Sequence, residues 1–240
     1  LAAIYKALGR FDEALTQQLK DIAIKETVLE PNHPSLATSY SNLAGIYRAL
    51  GRFAEALTQQ LKDIAISEKV LEPNHPSLAT SYSNLAGIYQ DLGRLDEALT
   101  QQLKDIAIKE KVLDDNHPSF AVSYNNLAAI YQDMGRLDEA IMAQKKAVTI
   151  MTEKLSHDHP QVAIAHQNLA GMYRTRGHHF LDVKDFVIAA RDFEESLSVL
   201  NNDGSTFNSL GLCYYYLGDF ARAIERYDQA YALDERLEGI

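Results

Sequence analysis

Residues 33–74 read HPSLATSYSNLAGIYRALGRFAEALTQQLKDIAISEKVLEPN, and residues 75–116 repeat them with 35 identities in 42 positions. Gly9, Gly51, Gly93, Gly135 and Gly177 keep the same 42-residue spacing, as do His33, His75, His117 and His159, each followed by proline. A fixed period in this range marks a repeat array. The unit holds two helical stretches. The first runs from about Ser35 to Leu50. Pro34 suits a first turn, where its missing N–H costs nothing, and His33 is biased out of the helical region by the proline after it. Leu36, Tyr40, Leu43, Ala44 and Tyr47 form one apolar face at helical spacing. The recurring glycines are expected to close each first helix in the left-handed conformation. The second stretch, from about Phe53 to Leu71, spans roughly 28 Å at 1.5 Å per residue. Ala56, Leu57, Leu61, Ile64 and Leu71 mark its expected buried side, and Glu72-Pro73-Asn74 breaks it. No stretch alternates as a strand does, so the fold class is all-α. One hairpin cannot bury both faces, so successive hairpins must stack into an α-solenoid.

Composition narrows the function. The chain has 240 residues and a net charge of −10. This opposes nucleic-acid binding, which needs a basic stripe, and docking on anionic lipid. No apolar run approaches a membrane span. A single cysteine, Cys213, leaves no disulfide framework and fits a reducing, cytoplasmic setting. The absence of a methionine before Leu1 reads as a piece of something longer. All six prolines fall in connections between units.

The recurring leucine, small residue, tyrosine and glycine, then alanine, resemble the tetratricopeptide repeat. The last unit carries the pattern most fully, in Phe207, Leu210, Gly211, Tyr214, Gly218, Ala223, Tyr227 and Ala230. Asp185-Phe186 and Asp219-Phe220 stand 34 residues apart, that family's usual period. The 42-residue units resemble those of kinesin light chains, with close versions of HPxxA, NLAxIY, G-x-x-x-EA and EKVL. The resemblance covers essentially the whole chain and implies a right-handed superhelix. It divides the sequence into a partial unit at 1–32, units at 33–74, 75–116 and 117–158, a unit at 159–204 with an insertion near His178–Lys184, and a 34-type unit at 205–238.

No catalytic or metal constellation stands out, and no enzyme activity or cofactor is expected. Equivalent His-Pro histidines lie at least a helix-packing distance of about 8–10 Å apart, too far to share a zinc ion whose ligand nitrogens sit about 2 Å away. They read as residues setting the helix entry. The pairs His157/His159 and His178/His179 lack acidic or cysteine partners at ligand spacing. Cys213 reads as a small core residue.

The resemblance implies that the first helices line a concave groove. There Asn42, Asn84, Asn126 and Asn168 lie off the apolar face. An amide both donates and accepts, so a ladder of them can hold an extended peptide backbone; alternatively each bonds a neighbouring helix and cements the stack, and the two roles are compatible. Thr38, Thr80, Val122 and Ile164 lie a turn earlier. Gly45, Gly87, Ala129 and Gly171 lie a turn later, small enough to admit a ligand backbone. Arg48, Gln90, Gln132 and Arg174 follow. Light-chain grooves that accept acidic peptides use several basic residues; here two of these four sites are neutral, with Asp91 and Asp133 beside them, and the net charge equally favours a neutral or basic segment. The expected function is a protein-interaction scaffold binding an extended peptide or partner segment. The alternatives are a sensor array within a larger signalling protein or enzyme, and end-to-end self-association.

The second helices depart from the family pattern by carrying Gln18 and Asp21, Gln60 and Asp63, Gln102 and Asp105. A buried aspartate needs a partner. The tyrosine on the following first helix is one candidate, giving Asp21–Tyr40, Asp63–Tyr82 and Asp105–Tyr124, although duplication alone would produce the same pattern.

Overall fold

The computed structural model describes residues 1–155, 159–200 and 202–238. Among the described residues it contains twelve helices and no strand. They form two compact units, Leu1–Met134 and Gly135–Ile240.

The first unit runs α1 (Ala2–Ala7), α2 (Phe11–Val28), α3 (Pro34–Ala49), α4 (Phe53–Val70), α5 (Pro76–Asp91), α6 (Leu95–Val112) and α7 (Pro118–Asp133). Each helix packs on its sequence neighbours, and the first-type helices α3, α5 and α7 also touch in order. The expected apolar face of α3 is its buried face: Leu36, Tyr40, Leu43, Ala44 and Tyr47 join Ala56 and Ile66 in one core cluster. The His-Pro histidines do set the helix entries. Nδ1 of His33, His75, His117 and His159 accepts the N–H of Ser35, Ser77, Ser119 and Gln161 at 3.1–3.2 Å, satisfying a donor that the first turn leaves orphaned. At the hairpin turns Gly9, Gly51, Gly93 and Gly135 adopt φ near +70°.

The second unit runs α8 (Leu137–Lys154), α9 (Pro160–Asp182), α10 (Phe186–Val199), α11 (Gly204–Tyr216) and α12 (Phe220–Glu238). Here one expectation fails. Gly177 closes no helix. It is buried inside α9, where a Cβ would lie 2.8 Å from the Phe193 ring. The extra residues extend α9 to 23 residues, and Lys184 takes the turn position with φ +64°. The reason is a change of register within one helix. Near its start α9 keeps the 42-residue register, for Gln144 donates to the Ala165 carbonyl just as Gln102 donates to that of Ser123. Near its end it keeps the 34-residue register: Gly177 under Phe193 repeats as Gly211 under Tyr227.

Leu61 is also misplaced by periodicity. It is 44% exposed, while Gln60 is fully buried. The buried face of α4 passes through Gln60, Asp63, Ile64 and Ser67, so this stripe is partly polar.

Candidate functional site

The polar stripe is built the same way at each junction within the first unit. Gln18, Gln60 and Gln102 donate to the carbonyls of Ser39, Ser81 and Ser123 at 3.1–3.2 Å. The hydroxyls of those serines donate to Asp21, Asp63 and Asp105 at 2.5–2.6 Å. At Asp21 and Asp63 the expected aspartate–tyrosine bonds are therefore replaced by aspartate–serine bonds. Tyr40 and Tyr82 instead donate to Glu26 and Glu68 at 2.6 Å. Burial first, then the adjacent glutamate, pushes each of these two phenols up to about 12.

The three aspartates differ in the cation beside them. Lys25 lies 2.8 Å from Asp21 and donates to Ser39 at 2.7 Å. Lys109 lies 2.8 Å from Asp105 and donates to Ser123 at 2.6 Å. The equivalent of these lysines beside Asp63 is Ser67, whose hydroxyl donates to Asp63 Oδ1 at 3.1 Å. Asp63 is 3% exposed and, among the described residues, pairs with no cation. Burial pushes its carboxyl above the ordinary carboxylate range, against hydrogen bonds from Ser81, Ser67 and Gln60. At Asp21 burial acts the same way, but Lys25 and Ser39 outweigh it and hold the carboxyl low.

Above Asp63 lies a cleft of about 350 Å³ between α3, α4 and α5. It brings together four of the sequence-predicted residues: Thr38, Asn42, Thr80 and Asn84. Asp63, Ser67 and Ser81 belong to the same lining. The asparagines are also tied to the stack, through long 3.4 Å bonds from Asn84 to Ser41 and from Asn126 to Ser83. Ser41 in turn reaches Gln60, and Ser83 reaches Gln102. Thr38 and Thr80 bond back to Pro34 and Pro76 in their own helices.

Among the remaining predicted residues, Arg48, Gln90 and Arg174 are engaged within the chain. Arg48 pairs with Asp91 across α3 and α5, and Gln90 donates to Asp133 at 2.6 Å across α5 and α7. The Arg48 guanidinium lies over Gly87, and Lys6 Nζ lies near Gly45, so side chains of this chain occupy the room those glycines leave. Gln132 is exposed on α7. In the second unit, Asn168 is exposed on α9, and Arg174 pairs with Asp203, the cap of α11. Burial would raise the Asp203 carboxyl, but bonds from Ser205, Thr206 and Arg174 bring it to about 2.

Sequence reasoning missed a buried ion pair in the second unit. Arg176 grips Asp192 with two bonds of 2.7–2.8 Å, and Asp192 is fully buried. Cys213 is fully buried, its thiol pushed up to about 11 by burial. Among the described residues no group of three metal-ligating side chains assembles; His157 lies outside them. No described helix is long and apolar enough to cross a membrane.

Helical hairpins packed in sequence, closed by left-handed turns and with small residues under aromatic rings, define a class of repeat scaffold. The chain belongs to the tetratricopeptide repeat family, whose models match residues 1–62, 40–111 and 119–179, and 205–237. Among solved structures it is similar to the nearly identical TPR-like repeats of a kinesin light chain-type protein from Podosopora anserina, at 31% identity. That match covers 83% of this chain and 91% of the other, with a TM-score of 0.67. BtubC (BKLC) from P. vanneervenii shares the fold at 20% identity, 96% and 93% coverage and a TM-score of 0.58. MamA shares it at 21% identity, 82% and 98% coverage and 0.52. Comparison with curated proteins finds no match.

Proposed function

We propose that this chain is a non-enzymatic scaffold whose first unit captures an extended segment of a partner protein along α3, α5 and α7. The observation that carries this reading is the placement of Asn42 and Asn84 with Thr38 and Thr80 on one cleft. Asn42 and Asn84 are exposed and can turn a donor or an acceptor toward a peptide backbone of either polarity. The bonds that tie Asn84 and Asn126 to the stack are at the long limit of hydrogen bonding, so a ligand competes with them at small cost. Asn126 continues the row on α7, and Asn168 offers a like amide in the second unit. Repeats of this family generally mediate protein association, which supports the class of partner.

The cytoplasm is the setting most consistent with one buried thiol. The test is affinity capture with the chain as bait, repeated with Asn84→Ala and Asn126→Ala together. Losing two backbone bonds of about 1 kcal/mol each is expected to weaken capture roughly 30-fold. Retention of the same partners at the same strength, with helicity unchanged, would refute the reading.

A further inference from the structure

Residues 33–74 and 75–116 differ at seven of 42 positions, and one is Ser67 against Lys109. The difference falls at the one place where it removes a cation from a buried carboxylate. At the α6–α7 junction the Lys109 ammonium sits between Asp105 and Ser123, and its side chain is 14% exposed. At the α4–α5 junction the carboxylate and the serine persist as Asp63 and Ser81. The four-carbon stem and the ammonium are gone. What remains there is the cleft of about 350 Å³, whose lining includes Ser67 and Val70 from α4, Leu71 just after it, and Ser77, Thr80 and Ser81 from α5.

We propose that this cleft is a subsite for a lysine side chain of the bound segment, whose ammonium binds Asp63 and Ser81 as Lys109 binds Asp105 and Ser123. The proposal rests on the peptide-capture reading above and names the ligand chemistry. Three features fit it. Asp63 Oδ2 already receives two neutral donors, Gln60 at 2.7 Å and Ser81 at 2.6 Å, so the anion is held in a fixed geometry but its charge is uncompensated. Val70 and Leu71 offer apolar surface to a methylene stem, as lysine stems prefer. Asn42 and Asn84 line the same cleft, so a segment gripped there can drop one side chain into it. Selectivity follows from the same contrast. A neutral side chain leaves Asp63 uncompensated, and an acidic one places like charges together. Arg48, further along α3, is already paired with Asp91 and offers little to an acidic ligand.

The experiment uses n-butylammonium chloride, which mimics a lysine side chain without a peptide. It is titrated into the full chain while backbone and carboxyl NMR signals are followed, with sodium chloride and n-butanol as controls. Saturable shifts at Asp63, Ser67 and Ser81 with the amine alone are expected. Ser67→Lys installs a tethered ammonium, and the structure already accommodates lysine at two equivalent positions; this variant should bind the amine at least about tenfold more weakly, as should Asp63→Asn. Shifts that are absent, matched by the controls, or unchanged in Ser67→Lys overturn the subsite. A peptide ligand found by selection should lose about tenfold when its lysine is replaced by norleucine, in the wild-type chain and not in Ser67→Lys. If the amine binds as expected but no extended peptide does, the subsite stands and the capture reading falls.

Discussion

Ser81 on α5 donates a 2.6 Å hydrogen bond to Asp63 on α4, and the same bond joins Ser39 to Asp21 and Ser123 to Asp105. Helix-to-helix cohesion at these junctions thus includes a charged acceptor inside an otherwise hydrophobic contact. Removing one donor leaves a buried carboxylate short of a partner, so Ser81→Ala should destabilise the chain by about 1–3 kcal/mol. Tyr82→Phe, which frees the exposed Glu68, should cost less than about 1 kcal/mol. Urea denaturation of both variants checks the order; a costlier tyrosine change would restore the aspartate–tyrosine pairing as the main tie.

The pH response of two aspartates should have opposite signs. The Asp63 carboxyl titrates above its unfolded value, so in the folded state it holds its proton more tightly. Its contribution favours folding below the unfolded value near 3.8 and is lost as pH rises through the higher folded value. Asp21 is held below its unfolded value, so its contribution is present above 3.8 and lost as pH falls through the lower folded value. Asp63→Asn should therefore gain on wild type as pH is raised through the acid range, and Asp21→Asn should fall behind. Stability measured by urea at a series of pH values reads both.

Two substitutions test the altered turn in the second unit. Gly177→Ala drives a methyl group into the Phe193 ring and should cost about 1–3 kcal/mol. Lys184→Gly relieves a side chain from the left-handed region and should stabilise by up to about 1 kcal/mol. Thermal denaturation reads both, and Lys184→Gly would destabilise instead if Gly177 were the helix terminus and Lys184 lay in ordinary helix.

His75→Ala removes an N-cap acceptor and should cost about 1 kcal/mol, while His75→Asp keeps an acceptor and restores most of it. Amide exchange at Ser77 should quicken in the alanine variant alone.

The helices, the hairpin turns and the face holding Asn42 and Asn84 were legible because each rests on local rules: apolar spacing, proline at a helix start, glycine at a turn. What periodicity could not reach was which of two adjacent residues meets the aspartate. Ser81 and Tyr82 are one position apart, about 100° around a helix, and both are buried. The choice depends on how α5 is rotated against α4, a tertiary quantity. The significance of Ser67 was in the repeat comparison from the start, but a lysine-to-serine change has no meaning until the carboxylate beneath it is seen to be buried. Gly177 misled for a different reason: its spacing from the other glycines counts from the helix entry, whereas the hairpin turn counts from the next unit.

Because α9 presents one register to α8 and another to α10, it works as a coupling between two gauges. A whole 42-residue unit gained or lost upstream leaves the α8 surface that meets α9 unchanged, and the downstream hairpins never encounter the longer period. The length of the near-identical tract is thereby free to vary by duplication and deletion while the end of the array is kept in working order.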